Sequence, residues 1–294
     1  MRTTDSLKVG GVQFDVAPGD VEANLARHLD FIEVARAEAI DVLVFPELSL
    51  TGYRSRDHRL SMPYDAGVLA RLAEAAGDMF VVVGFIEEGF AAQRFNSAAV
   101  THQGRIVHLH RKLNLATSGD MDEGKYFAAG RCIEAFAVRS RFNASVLICS
   151  DMWNPGLVHL AALHGATLLL VPTNSSIDAI SGDDSKPGRW DTFLRHYSTI
   201  YGMPIAFANR IGTEEGFTFW GGSRIFDAFG NILAAATRDE ERMLSAELRY
   251  EDVSRARFEL PTVRDSNLGL IHREIERLAA RMGVPEEFRD LYPG

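Results

Sequence analysis

What most limits the folds open to this chain is a series of short, mostly apolar runs: Leu7 to Phe14, Asp41 to Phe45, Phe80 to Phe85, Ser145 to Cys149, Thr167 to Pro172 and Pro204 to Asn209. Runs of this length bounded by turn residues read as strands buried on both faces, and such strands need a covering layer above and below. Between the first two lies Val21 to Ala39, which sets Leu25, Leu29, Ile32 and Ala35 at helical spacing. Strand, helix, strand is a parallel crossover unit, and the handedness rule makes it right-handed. A helix over Gly67 to Ala76 leads into the next strand, and Phe95 to His102 with Arg105 to Arg111 form a hairpin turning at Gln103-Gly104.

The second half repeats this order. After Ser145 to Cys149 come a helix from Gly156 to His164, the strand Thr167 to Pro172, a helix from Trp190 to Tyr201, and the strand Pro204 to Asn209. A hairpin, Ser223 to Asp227 with Ile232 to Ala236, closes the series at Gly230-Asn231. The expectation is an α/β protein of two mixed sheets around one core, with helices outside and a pseudo-twofold internal topology. The competing arrangement, two independent domains joined near Arg139 to Asn143, lacks a Pro/Ser-rich linker. Residues 1–250 form the expected body. Glu251 to Gly294 reads as a charged extension with one amphipathic helix near Leu268 to Arg281, packing on the body or on a partner subunit.

Lys and Arg total 31 against 40 Asp and Glu, a net charge of -9 without a basic patch, which disfavours nucleic acid and anionic membrane as partners. Neither a signal peptide nor a span of about 20 apolar residues is visible, so a cytoplasmic location is expected. Only Cys132 and Cys149 are present, each to be judged as a single thiol. Cys132 lies in the alternating run Arg131 to Phe136 and reads as a packed strand residue. Cys149 ends an apolar run and precedes Ser150-Asp151-Met152-Trp153-Asn154-Pro155, a tight turn feeding a helix. There, backbone N–H groups and the helix dipole favour thiolate and can hold an oxyanion.

In sheets built from parallel crossovers, functional groups gather where strands end. Glu47 follows Val42-Leu43-Val44-Phe45-Pro46, and Lys112 closes the hairpin strand ending at Arg111. Base, cation and nucleophile are complementary roles, and none needs a metal or cofactor. His108 and His110 alternate on one strand without a nearby third ligand, Gly10-Gly11 lacks the third glycine of a dinucleotide fingerprint, and Asp178, Asp183 and Asp184 read as a solvated loop.

The blocks Phe45-Pro46-Glu47-Leu48-Ser49-Leu50-Thr51-Gly52-Tyr53, His110-Arg111-Lys112-Leu113 and Leu147-Ile148-Cys149-Ser150-Asp151 resemble the nitrilase (carbon-nitrogen hydrolase) superfamily. Supporting blocks include Asp122 to Phe127, Ala208 to Gly212 and Gly221 to Asp227. The resemblance implies a four-layer α-β-β-α sandwich that pairs into homodimers. It implies Glu47 as general base, Lys112 as oxyanion stabiliser, Cys149 as nucleophile and Glu123 as a second carboxylate. Tyr53, Ser150, Trp153 and Asn174, in or near these blocks, are expected to bind a small-molecule substrate. Gly156 and Ala128-Ala129-Gly130 depart from the usual family pattern. Amide or N-carbamoyl hydrolysis is the expected reaction, with nitrile hydrolysis or an inactive scaffold as alternatives. The glutamine-dependent NAD synthetase branch is set aside for want of a following synthetase domain.

Overall fold

A computed structural model describes residues 5–53, 57–139, 141–178 and 185–283. In the first half the apolar runs become β1 (Ser6–Gln13), β2 (Val42–Val44) and β3 (Phe80–Glu88), followed by β4 (Arg94–His102) and β5 (Arg105–Arg111). α1 (Val21–Ala37) and α2 (Gly67–Ala76) are the crossovers. The second half runs β6 (Phe136–Arg139), β7 (Phe142–Val146), α3 (Pro155–Leu163), β8 (Leu168–Thr173), α4 (Lys186–Tyr201) and β9 (Ile205–Asn209). It continues through β10 (Ile211–Glu214), β11 (Phe217–Trp220), β12 (Arg224–Phe226), β13 (Ile232–Ala235), β14 (Arg242–Arg249), α5 (Tyr250–Glu259) and α6 (Leu268–Arg281).

Two six-stranded sheets result, in the orders β14-β1-β2-β3-β4-β5 and β6-β7-β8-β9-β12-β13. Each has three parallel strands, β1-β2-β3 or β7-β8-β9, flanked by antiparallel ones. The expected pseudo-twofold order is therefore present strand for strand. Side-chain alternation explains the layering. Val42 and Val44 point inward with Val9 and Val82 against Ala144, Val146, Leu168 and Leu170 of the other sheet. Leu43, Val81 and Val83 point outward onto Leu25 and Ile32 of α1 and Leu69 and Leu72 of α2. Leu169, Val171 and Phe207 likewise meet Val158 of α3 and Trp190 and Leu194 of α4. A one-residue slip would exchange these faces, and each buried aliphatic side chain contributes roughly 1.5–3 kcal/mol to holding the register. One inter-sheet core spans both halves, so the two-domain arrangement is not what forms.

Local chemistry places the ends of the elements. Asp20 caps α1 by accepting from the Ala23 N–H, and Asn154 caps α3 from the Gly156 N–H with Pro155 in the first turn. Gln103 and Gly104 both take positive φ, the conformation a two-residue hairpin turn requires. Several expectations need correction. Cys132 is exposed and lies outside any strand, because β6 begins only at Phe136. β7 ends at Val146, so Cys149 stands beyond the strand rather than closing it. The β10–β11 hairpin and β14 were not anticipated; β14 fills the edge beside β1. α5 buries Val253 and Ala256, and Arg257 donates to the carbonyls of Ala166 and Tyr201, whereas α6 has no buried residue. No helix among the described residues is long and apolar enough to cross a membrane.

One buried histidine ties α1 to the segment after β2. His28 is fully buried; its Nδ1 lies 2.7 Å from the Asn24 carbonyl and its Nε2 2.9 Å from Ser49 Oγ. The carbonyl can only accept, so Nδ1 carries the proton and Nε2 accepts from the Ser49 hydroxyl. Burial pushes the imidazole pKa down to about 4 from 6.5, against the backbone bond that favours the charged form. The unfolded chain then binds this proton more readily, so stability is full above pH 6.5 and is lost as pH falls toward 4. The loss from this group is on the order of 3 kcal/mol. Urea midpoints measured from pH 7 to 4 should fall steeply in the native protein and less steeply in His28→Gln; equal slopes would remove His28 from the account.

Candidate active site

β7 and β8 are neighbours in one sheet and β2 of the other sheet packs against β8, and the loops leaving these three strands carry the candidate residues. After β2 the chain turns over β3: Phe45 N–H donates to Val82 O and Leu50 N–H to Gly84 O. Gly84 makes this possible, because a Cβ there would stand 2.3 Å from the Leu48 nitrogen. The turn leaves Glu47 buried. Its Oε1 accepts from Lys112 Nζ at 2.6 Å and from Asn96 Nδ2 at 2.7 Å, and its Oε2 accepts from the Asn174 N–H at 2.8 Å.

Lys112 follows β5 and is equally buried. Its backbone N–H donates to Asn96 O, and its carbonyl accepts from Gly130 N–H. A Cβ at Gly130 would meet the Arg111 carbonyl at 2.1 Å, so glycine is required for the 128–130 segment to lie this close. The ammonium also donates to Glu123 Oε1 at 2.8 Å. That oxygen takes a second bond from the Tyr53 hydroxyl at 2.8 Å, and Glu123 Oε2 accepts from the Ala116 N–H. Among the acidic residues of this loop Glu123 alone turns inward; Asp120 is exposed and Asp122 faces Lys125.

Cys149 begins a short 3-10 turn to Trp153 with φ at +42°, a left-handed conformation that costs a non-glycine residue roughly 1–3 kcal/mol. Asp151 holds the turn. Its Oδ1 accepts from the N–H groups of Leu113 and Asn114, and its Oδ2 from Ile148 N–H and His110 Nε2. One buried carboxylate thus joins the cysteine turn to the chain leaving Lys112. His110, set aside in the sequence as a metal ligand, is Asp151's partner, and His108 stacks on Phe136.

The sulfur feels the charges of Glu47, Lys112 and Glu123, and the nearby Asn174 N–H favours its ionised form. Although the residue opens onto a cavity, burial followed by the Glu47 charge raises the thiol pKa well above its ordinary value. The expected depressed thiol is therefore not found: desolvation and two carboxylates outweigh one ammonium and one amide. Burial likewise raises Glu47, with Lys112 opposing it. Burial would lower Lys112, but Glu123 and Glu47 more than reverse this and it stays charged.

The cavity beside Cys149 has a volume of about 610 Å³. Tyr53, Ser150, Trp153 and Asn174 all line it. Their side chains differ in what remains available. The Ser150 hydroxyl donates to Asn114 O, Tyr53 is committed to Glu123, and Trp153 packs edge-on against Trp190 and Phe193. Asn174 is 1% exposed, yet its Oδ1 and Nδ2 have no partner among the described residues. Asn96 and Gly84 were not singled out in the sequence, and His110, Gly130 and Asp151 appeared there without the roles the structure gives them. The Cys-Ser-Asp spacing was the one available signal, for Asp151. Of the acidic loop, Asp178 accepts from Thr218 N–H, and Asp183 and Asp184 lie outside the described residues.

The carbon-nitrogen hydrolase profile matches residues 8–258. A glutamine-dependent NAD(+) synthetase of Thermotoga maritima is 29% identical over 252 residues, covering 84% of this chain and 42% of that protein. The chain thus spans less than half the length of that relative, whose branch had been set aside for want of a following synthetase domain. A citrullinase of Francisella tularensis is 25% identical over 272 residues, covering 88% of this chain and 95% of its own. The crystal structure of a carbon-nitrogen hydrolase from Helicobacter pylori superposes with a TM-score of 0.78 at 24% identity, covering 90% of this chain and 97% of the other, a likeness of fold. With the family profile running from β1 into α5, the chain belongs to the carbon-nitrogen hydrolase family.

Proposed function

We propose that this chain is a cysteine amidohydrolase that cleaves the carbon-nitrogen bond of a small carboxamide or N-carbamoyl group through a thioester. The observation that carries the reading is the buried Glu47–Lys112–Glu123 cluster set against a thiol that opens onto a cavity. The relatives are consistent with it: one is named for dependence on glutamine, another for citrulline. Burying three ionisable groups around one sulfur is costly for a purely structural purpose, since replacing such groups by apolar ones is often neutral or stabilising.

In this mechanism the resting thiol is protonated, so deprotonation accompanies attack. Glu47 takes the Cys149 proton as the sulfur adds to the carbonyl carbon, and the new oxyanion forms beside the Lys112 ammonium. Glu47 returns the proton to the departing nitrogen, giving ammonia or an amine and the acyl thioester. Water then gives its proton to Glu47 and its oxygen to the acyl carbon, releasing the acid and restoring the thiol. Glu123 keeps Lys112 in place, and Tyr53 keeps Glu123.

An ammonia-release assay over amides, N-carbamoyl amino acids and nitriles tests the reaction class; release from nitriles alone would overturn the amide reading. Cys149→Ala should abolish turnover with the fold retained by circular dichroism, and substantial residual activity would remove the nucleophile. Glu47 must be ionised to act, and its pKa is raised, so kcat/KM should fall on acidification through a limb above the usual 4.5. Because Lys112 is held charged, it should add no alkaline limb below its ordinary 10.5. Glu47→Gln should lower kcat about 10²–10⁴-fold and remove the acid limb. Lys112→Met leaves two buried carboxylates unpaired and should destabilise by about 3–5 kcal/mol in urea unfolding, with turnover lost.

A further inference from the structure

The β10–β11 hairpin belongs to neither six-stranded sheet. It is bridged to the body at Ile211, against Asp15 after β1, and at Phe219, against Ser176 after β8. At its base lies a buried ion pair: Arg210 is fully buried, Glu214 is 5% exposed, and the guanidinium Nη1 donates to Glu214 Oε2 at 2.5 Å. Nη2 donates to the Val16 carbonyl at 3.0 Å and to Asp15 Oδ1 at 3.3 Å. Such a pair is weak evidence of a contribution to stability, because apolar residues of similar volume often do as well or better. Its contacts show what it holds. Glu214 Oε2 accepts a second bond, from the Tyr53 N–H at 3.0 Å. Gly52, at φ +87°, permits this approach: a Cβ there would stand 3.0 Å from Pro18 Cα and 3.2 Å from Glu214 Oε1. The Arg210 guanidinium also lies 4.4 Å from the centre of the Phe219 ring, and Phe219 and Phe217 meet the Tyr53 ring edge-on at 5.9 and 6.5 Å.

Resting on the amidohydrolase reading, we propose that Arg210 and Glu214 are positioning residues for the reaction, fixing the Lys112 ammonium through Tyr53 and Glu123. One hairpin holds Tyr53 at its backbone and at its ring. With both fixed, the hydroxyl is delivered to Glu123 Oε1, the oxygen that also takes the Lys112 ammonium. Burial, then the charges of Glu123 and Glu47, raise the Tyr53 pKa well above its ordinary value and keep the hydroxyl a donor. The contacts therefore run without a gap from Arg210 through Glu214, Tyr53 and Glu123 to Lys112. Neither Arg210 nor Glu214 is among the described residues lining the cavity beside Cys149, so both act only through this chain. Precise placement matters because a cation stabilises the developing oxyanion only at hydrogen-bonding distance, and a misplacement of about 1 Å can cost about a hundredfold in rate.

The deciding variant is Arg210→Met/Glu214→Leu, which removes both charges together and leaves neither buried alone. Its melting temperature should stay near that of the native protein, while kcat falls about ten- to a hundredfold with KM little changed. In a Tyr53→Phe background, which already lacks the hydroxyl, the double substitution should cost less than about twofold more. A folded double variant with native kcat, or an equal loss in both backgrounds, overturns the positioning role while leaving the amidohydrolase reading standing. If the double variant does not fold, Phe219→Leu, which removes the ring between Arg210 and Tyr53, takes its place in the same cycle with the same deciding outcomes. If the native protein releases ammonia from no amide, the amidohydrolase reading fails, and the cycle is read instead from the rate at which iodoacetamide alkylates Cys149, followed on its own peptide. A rate altered only where the Tyr53 hydroxyl is present supports the positioning role; an unaltered rate, or the same change in both backgrounds, overturns it.

Discussion

The buried ammonium of Lys112 is the interaction on which the rest of the site depends. An isolated charge in the interior is heavily penalised, and this one persists because Glu47 and Glu123 each accept a hydrogen bond from it. The carboxylates are themselves held by Asn96, Asn174, Tyr53 and Ala116. Removing water strengthens every term of this network, and each member becomes costly to leave unpaired. The same desolvation raises the proton affinity of Cys149 and Glu47, which favours proton transfer during attack over a preformed thiolate.

The sandwich supplies what the network needs, rigid strand ends at fixed separation. β2, β7 and β8 are each covered on both faces, so the loops carrying Glu47, Cys149 and Asn174 start from positions that cannot drift. Asp151 then couples the cysteine turn to the exit of β5, and Gly84 and Gly130 allow backbone approaches that any side chain would block. The left-handed backbone at Cys149 is a local strain that this surrounding hydrogen bonding holds in place.

Much of this could be read along the chain. The two sheets, the crossovers, both hairpin turns and the α6 boundaries follow from periodicity and turn chemistry, which act over a few residues. The misplaced Cys132 strand shows the limit: alternation in Arg131 to Phe136 is a local pattern, while strand formation depended on a partner, and pairing with β7 begins only at Phe136. β14 was missed for the complementary reason. Its polar composition argues against a buried strand, yet an edge position beside β1 leaves one side free to face water.

The sequence by itself singled out Glu47, Lys112 and Cys149 as candidates, because apolar runs and the motifs that follow them are local. Only the tertiary structure decided that Glu123 rather than Asp120 or Asp122 meets Lys112, and that the Asn174 side chain, without a partner among the described residues, lines the cavity. It also reversed the expected ionisation of the thiol. Desolvation and charge–charge interactions depend on what lies within a few ångströms in space, and residues far apart along the chain supply most of it.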